Sequence, residues 1–166
     1  MSVRRRRWCA AHRYARSCRS ENYDDLTLTD LVTYILSLPA KPNRYKLPGY
    51  ELRPAEARGK QIFERETDKF GNPIPLANRC SYCHGGPKGT SQKSFDVGTK
   101  KETDDSGMLD TPQLVNVALT APYLHDGSAR TLEEIWTVYN PNDKHGRTND
   151  LSKDELNDLI EYLRTR

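Results

Sequence analysis

Cys80, Cys83 and His84 stand together in the stretch Cys80-Ser81-Tyr82-Cys83-His84. Two thiols three residues apart on one helical turn can each add to a vinyl group of a porphyrin, and the next residue points its imidazole at the central iron. C-x-x-C-H is the spacing at which haem c is attached, with the histidine as proximal ligand. Gly85 and Gly86 follow and place no side chain between backbone and macrocycle. Other uses of these residues fit less well. Zinc takes four ligands, usually from a second paired cluster, yet only the isolated His125 and His145 lie downstream and no second C-x-x-C exists. A thioredoxin-like pair belongs in a βαβ context, which is missing here. The expected cofactor is one covalent haem c per chain, in a periplasmic or otherwise extracytoplasmic compartment, although no signal peptide is visible.

The elements that must hold this motif are helices. Leu28, Leu31, Val32, Ile35 and Leu36 share one face of a helix from about Asp25 to Leu38, stopped by Pro39. Pro54 opens a second helix at its favoured first-turn position, continuing to about Glu66. The motif helix starts near Asn78 after a loop, and residues 85 to 110 read as irregular and solvent-facing. Thr131 with Glu134, and Ser152 with Glu155, are capping boxes that open helices towards Tyr139 and to the end of the chain. No strand of convincing alternation is present, so the class is all-α with long irregular loops.

Length allows one domain of ordinary size, and a hydrophobic share of 35% predicts a small core that a buried macrocycle would enlarge. No apolar run is long enough to span a membrane. Residues 1–24 form a basic tail with seven arginines and no acid before residue 20, which leaves 19 basic against 23 acidic residues beyond. The tail lacks the apolar stretch of a secretory signal and reads as a disordered segment from a misassigned start or truncated gene. Nucleic acid is not an expected partner, because haem c is attached outside the bacterial cytoplasmic membrane.

An internal repeat bears on the organisation. Asp30-Leu31-Val32-Thr33-Tyr34-Ile35 aligns without a gap with Asp158-Leu159-Ile160-Glu161-Tyr162-Leu163, and a repeated helix suggests two domains of one kind. Residues 25–38 are then the orphan last helix of a first domain that is missing here, residues 39–53 a Pro-rich linker, and residues 54–166 the complete haem domain.

Two resemblances follow. Gly59 and Phe63 on one helix, with Leu159 and Tyr162 on the last, resemble the crossing of first and last helices in class I cytochromes c. The run Thr111-Pro112-Gln113-Leu114-Val115-Asn116-Val117-Ala118-Leu119-Thr120-Ala121-Pro122-Tyr123-Leu124-His125-Asp126-Gly127 resembles the second haem domain of the bacterial di-haem cytochrome c peroxidase and MauG family. The resemblance implies a class I cytochrome c-like domain and a first haem domain beyond this stretch. It makes Thr120 and Pro122 carbonyls candidates for a calcium site shared with that domain, which leaves calcium doubtful here.

The distal iron ligand has three candidates. His145 lies in the loop before the last helix, from which small class I cytochromes deliver this ligand. Tyr139 falls where the peroxidases place methionine and MauG places tyrosine. Met108 is chemically suited but lies off the family's ligand position. His125 is expected at the haem edge, or as a turn histidine satisfied by Asp126. The implied function is single-electron transfer with a small cytochrome or cupredoxin-like donor. A peroxidase acting at this haem, and a haem docking module of a larger oxidoreductase, are the alternatives.

Overall fold

The computed structural model describes residues 25–39, 41–46 and 49–166; the basic tail lies outside the described residues. Among the described residues there are five helices: α1 (Asp25–Ser37), α2 (Pro54–Glu64), α3 (Cys80–Cys83), α4 (Leu132–Thr137) and α5 (Lys153–Arg164). Two short strands, β1 (Ser94–Asp96) and β2 (Met108–Asp110), lie between α3 and α4, and 3-10 turns occur at Leu76–Asn78 and Val117–Leu119. One compact unit ends at Ala40 and a second runs from Lys41 to Arg166.

The second unit is organised by α2 against α5. On α5, Leu156, Leu159, Ile160 and Leu163 recur at helical spacing, and the last three are buried. Gly59 sets how closely the two helices cross. A Cβ added there would overlap the Asp158 carbonyl and stand 2.8 Å from Tyr162 Cβ. One turn along α2, Phe63 meets the Tyr162 ring at 5.4 Å between centroids and 58° between planes, a tilted arrangement that aromatic pairs favour. Leu114, Val117, Leu132 and Ile135 complete the buried cluster, so the core lies where α2, α4, α5 and the 117–119 turn converge.

Helix ends follow the sequence with one departure. Ser152 and Glu155 exchange both bonds of a capping box, Oγ accepting from Glu155 N–H at 3.3 Å and the Ser152 N–H donating to Glu155 Oε2 at 2.7 Å. At α4, Thr131 Oγ1 accepts from Glu134 N–H, but the Glu134 carboxylate accepts from the Arg130 N–H at 2.6 Å, one residue before the cap. Glu56, fully buried, accepts from the Arg53 N–H at 2.8 Å and from the Tyr50 hydroxyl at 2.5 Å. These bonds tie the segment before Pro54 to α2. Asn43 does the same at the far end of the unit, its amide donating to the Arg164 and Arg166 carbonyls at 2.9 Å each.

Residues 94–110 are more regular than the composition predicts. β1 and β2 pair antiparallel, with Ser94 opposite Asp110, Phe95 opposite Leu109 and Asp96 opposite Met108. Each strand has three residues, too few for alternation to register in sequence.

α1 repeats the α5 pattern with the opposite burial. Leu28, Leu31, Val32 and Ile35 are 42% to 54% exposed, whereas Leu159 is 0% and Leu163 4% exposed. Amide exchange at Leu31–Ile35 is therefore expected to be fast, and at Leu159–Leu163 slow, in hydrogen-exchange mass spectrometry; equal protection would show that α1 is covered in solution. Gly59→Ala forces α2 and α5 apart and is expected to cost about 3 kcal/mol in denaturant unfolding, as overpacking at a close crossing does.

Candidate functional site

α3 is a single turn, and its burden is geometric. It places Cys80 and Cys83 on the wall of a cavity of about 360 Å³ and lets His84, at its C-terminal cap, turn inward. That volume lies in the range of cofactor sites. Phe63, Leu114, Val117, Leu132, Ile135, Leu159 and Leu163 supply apolar wall from the core, while Phe95, Val97 and Leu109 supply it from the hairpin. Burial pushes the Cys80 thiol up to about 11, so it is protonated at neutral pH; burial also raises Cys83.

His84 Nδ1 lies 3.1 Å from the Gly89 carbonyl. A carbonyl only accepts, so Nδ1 carries the proton and Nε2 keeps its lone pair. This is the carbonyl support that orients metal-binding histidines. Burial lowers the His84 pKa, against the opposing pull of the Gly89 and Pro112 carbonyls.

Facing it is His145. The two rings are 6.4 Å apart between centroids and inclined by 31°. A first-row metal bonds imidazole nitrogen at about 2.0 Å, so an ion held between two rings sets their centroids about 6 Å apart. His145 lines the same cavity, and its buried Nδ1 has no hydrogen-bond partner. Burial, with the His84 ring beside it, pushes its pKa down to about 4. Both rings are therefore neutral near pH 7, with lone pairs available.

The loop bearing His145 is held from several sides. Asn140, 1% exposed, accepts from the His145 N–H at 2.8 Å and donates to the Gly146 carbonyl at 2.8 Å and to Thr148 Oγ1 at 3.0 Å. Asn78, two residues before Cys80, donates to the Asp143 carbonyl at 2.6 Å and accepts from the Arg147 N–H at 2.9 Å. The cysteine turn and the His145 loop are thus joined directly. Gly146 has φ +92°, and a Cβ there would stand 3.4 Å from Cys80 Sγ, so the position favours glycine on both counts. Beneath the loop, Arg65 clamps Asp150 through two bonds of 2.7 and 2.9 Å.

The other candidate ligands lie elsewhere. The Tyr139 hydroxyl donates to the Ser128 carbonyl at 3.0 Å. Met108 is 55% exposed, and neither residue lines the cavity. His125 lines it, but its partner is Asp104 rather than the adjacent Asp126, with Nε2 2.9 Å from Asp104 Oδ2. The Asn140 clamp and the Asn78 bridge have no sequence signature. Both asparagines sit in Pro- and Asn-rich stretches that read as plain loop. Among the described residues no cluster of three or more His, Cys, Asp or Glu is arranged to hold a separate metal ion, and no helix is long and apolar enough to cross a membrane.

Residues 56–166 match the cytochrome c family. Hydrazine synthase subunit gamma of Kuenenia stuttgartiensis is 29% identical over 188 aligned positions, covering 88% of this chain and 50% of that protein. Cytochrome c551 peroxidase of Nitrosomonas europaea is 30% identical over 105, covering 52% of this chain and 30% of that one. Among solved structures, hydrazine synthase from Kuenenia stuttgartiensis pressurised with xenon superposes with a TM-score of 0.68 at 27% identity, over 89% of this chain and 57% of that one. A MauG-like protein associated with microbial copper homeostasis superposes with a TM-score of 0.60 at 21% identity, over 91% and 59%, and shares the fold. The chain spans half or less of the length of these curated relatives. The likeness to bacterial peroxidases read from residues 111–127 agrees with the match to cytochrome c551 peroxidase, while the MauG-like structure shares the fold.

Desolvation pulls the Asp150 carboxyl up, but the Arg65 guanidinium and the Lys69 N–H outweigh it and leave its pKa below the ordinary carboxylate range. A depressed folded-state pKa contributes stability that is present above the unfolded value near pH 4 and lost as pH falls through the folded value. Asp150→Asn is expected to cost about 3 kcal/mol at pH 7, because Arg65 is left without its buried anion. The difference from wild type should shrink in unfolding curves below about pH 4.

Proposed function

The chain belongs to the cytochrome c family, and from that premise we propose that it is a haem c electron carrier, the electron-supplying domain of a larger di-haem peroxidase-like protein. Members of the family carry haem c covalently, and the residues here fit that group. A largely apolar cavity is lined by two cysteines and by two neutral imidazoles whose ring centroids are 6.4 Å apart. Residues 54–166 are the haem domain in this reading. Residues 25–38 are the closing helix of a first domain, a role supported by their match to α5 and their exposed apolar face.

The observation that carries the proposal is the pairing of His84 with His145 across the cavity. Cys80 and Cys83 contribute the two thioether sulfurs. His84, its Nδ1 fixed on the Gly89 carbonyl, contributes the proximal nitrogen, and His145, fixed by Asn140, the distal one. Haem c supplies a one-electron ferric/ferrous couple when bound. The apolar side chains exclude water from that centre, and the rigid loop limits reorganisation when its charge changes. If His84 and His145 both held the iron, no coordination position would be left for peroxide, which favours a carrier over a peroxidase at this site. The compartment is extracytoplasmic, and the donor is a small cytochrome or cupredoxin-like protein. The match to half of a hydrazine synthase subunit favours one second reading, a haem module docked within a larger oxidoreductase.

Expression with haem c maturation tests this. Cys80→Ser with Cys83→Ser should abolish haem that survives denaturation. His145→Ala should convert the ferric spectrum from low to high spin and open the iron to cyanide, whereas Tyr139→Phe and Met108→Leu should leave it unchanged. A sulfur-to-iron band removed by Met108→Leu would overturn the ligand assignment. Rapid reaction of the wild-type ferric protein with stoichiometric peroxide would favour the enzyme over the carrier.

A further inference from the structure

His125 lines the cavity wall without facing a second imidazole, and it is joined to an acid on the opposite strap. Its Nε2 is 2.9 Å from Asp104 Oδ2 and its Nδ1 3.5 Å from Thr99 Oγ1. Asp104 belongs to the loop between β1 and β2, so this pair spans from the cavity wall to the strap that covers it. The histidine side chain is 21% exposed, enough for exchange of a proton with solvent.

Its charged neighbours are committed. The Lys101 N–H donates to Asp104 at 2.7 Å and, with the His125 ring, holds that carboxyl below its ordinary range despite partial burial. Lys101 Nζ pairs with Asp126, which holds the Asp126 carboxyl well down and raises the lysine. On the same strap, Asp96 pairs with Lys144 from the His145 loop at 2.8 Å and is lowered by it. From the end of α4, the Tyr139 hydroxyl is engaged by the Ser128 carbonyl. Across the interval from pH 5 to 8 these carboxylates remain anionic and Lys101 remains cationic. Imidazole is the side chain whose charge ordinarily changes there.

Reduction adds one negative charge to the centre of this cavity. A nearby base backed by a fixed carboxylate becomes a stronger base when that charge arrives. We propose that the His125–Asp104 pair couples proton uptake to reduction of the bound haem, making this site a proton-coupled electron carrier. The inference rests on the haem reading above. In the balanced step, a donor protein or electrode would supply one electron to the haem that Cys80, Cys83, His84 and His145 would hold, the His125 imidazole would take up one proton from solvent, and no other bond would form or break. Asp104 is a positioning residue: it accepts from the imidazolium and stabilises it.

The test is spectroelectrochemical titration of the matured protein between pH 5 and 8. In wild type the midpoint should fall with rising pH, with a slope approaching 59 mV for each tenfold change in proton activity at one electron. His125→Asn, which keeps a donor for Asp104 and removes the titrating group, should flatten the slope. Asp104→Asn should move the sloping region to lower pH. A midpoint flat in wild type, or a slope that survives His125→Asn, would overturn the proposal, the latter locating the proton elsewhere. Proton NMR of the His125 ring in wild type gives a reading that needs no variant: its titration midpoint should lie at higher pH in the ferrous than in the ferric protein, and equal midpoints would overturn the coupling. Absence of covalent haem, or of a reversible one-electron midpoint, would overturn the haem reading and this proposal with it. A reversible but pH-independent midpoint overturns this proposal alone.

Discussion

Two neutral imidazoles, His84 and His145, lining one apolar cavity with ring centroids 6.4 Å apart, are the constraint around which the second unit is built. Neither ring would be stable there without support. A buried polar nitrogen with no partner costs free energy, and the Nδ1 of His145 has no partner within the protein. Such an orphan, on a ring that lines the same cavity as a second imidazole, suits a site built around a metal-centred group. The unsatisfied atom is thus a sign of fit to haem c rather than a defect of packing.

Keeping those rings in place requires rigid backbone where the chain has little secondary structure. α3 is one turn long, and His145 sits in a loop. Rigidity comes instead from side chains acting as struts. Asn140 makes three bonds around the His145 loop, Asn78 bridges that loop to the cysteine turn, and Arg65 with Asp150 anchors its far end. Asn140 and Asp150 are buried and Asn78 and Arg65 partly so, and there a satisfied hydrogen bond is strong and a broken one costly. The α2–α5 crossing supplies the wall against which these struts act, and Gly59 lets it close.

Much of this was legible in the sequence because it follows from local rules. The C-x-x-C-H spacing, the Pro54 start of α2, the Ser152 capping box and the Gly59 and Phe63 pair are short-range signals with a direct physical cause. The pairing of Phe95 with Leu109 was not, because a three-residue strand has no detectable period. The partner of His125 was missed for a different reason. Adjacency pointed to Asp126, but Lys101 occupies that carboxylate, and Asp104 arrives from 21 residues away. Asn140 and Asn78 could not be singled out because their importance lies in what folds against them. The α1 pattern shows the limit of periodicity: the same spacing of apolar residues is largely buried in α5 and half exposed in α1. Spacing defines an apolar face and leaves open what covers it.

The charges around the cavity suit a site that passes electrons onward. Arg79 and Lys144 line it, yet each is already committed. Arg79 donates to the Ile74 carbonyl and pairs with Glu66, and Lys144 pairs with Asp96. No free cation among these lining residues is left to stabilise the reduced state. A second imidazole in place of a thioether removes the ligand that raises potential in small cytochromes. On the proposed ligation, both effects hold the couple low, so that an electron received here leaves readily. Proton uptake at His125 would then be the main compensation for the added charge. It would lie on the strap side of the cavity, where hairpin and His125 segment meet, rather than at either ligand.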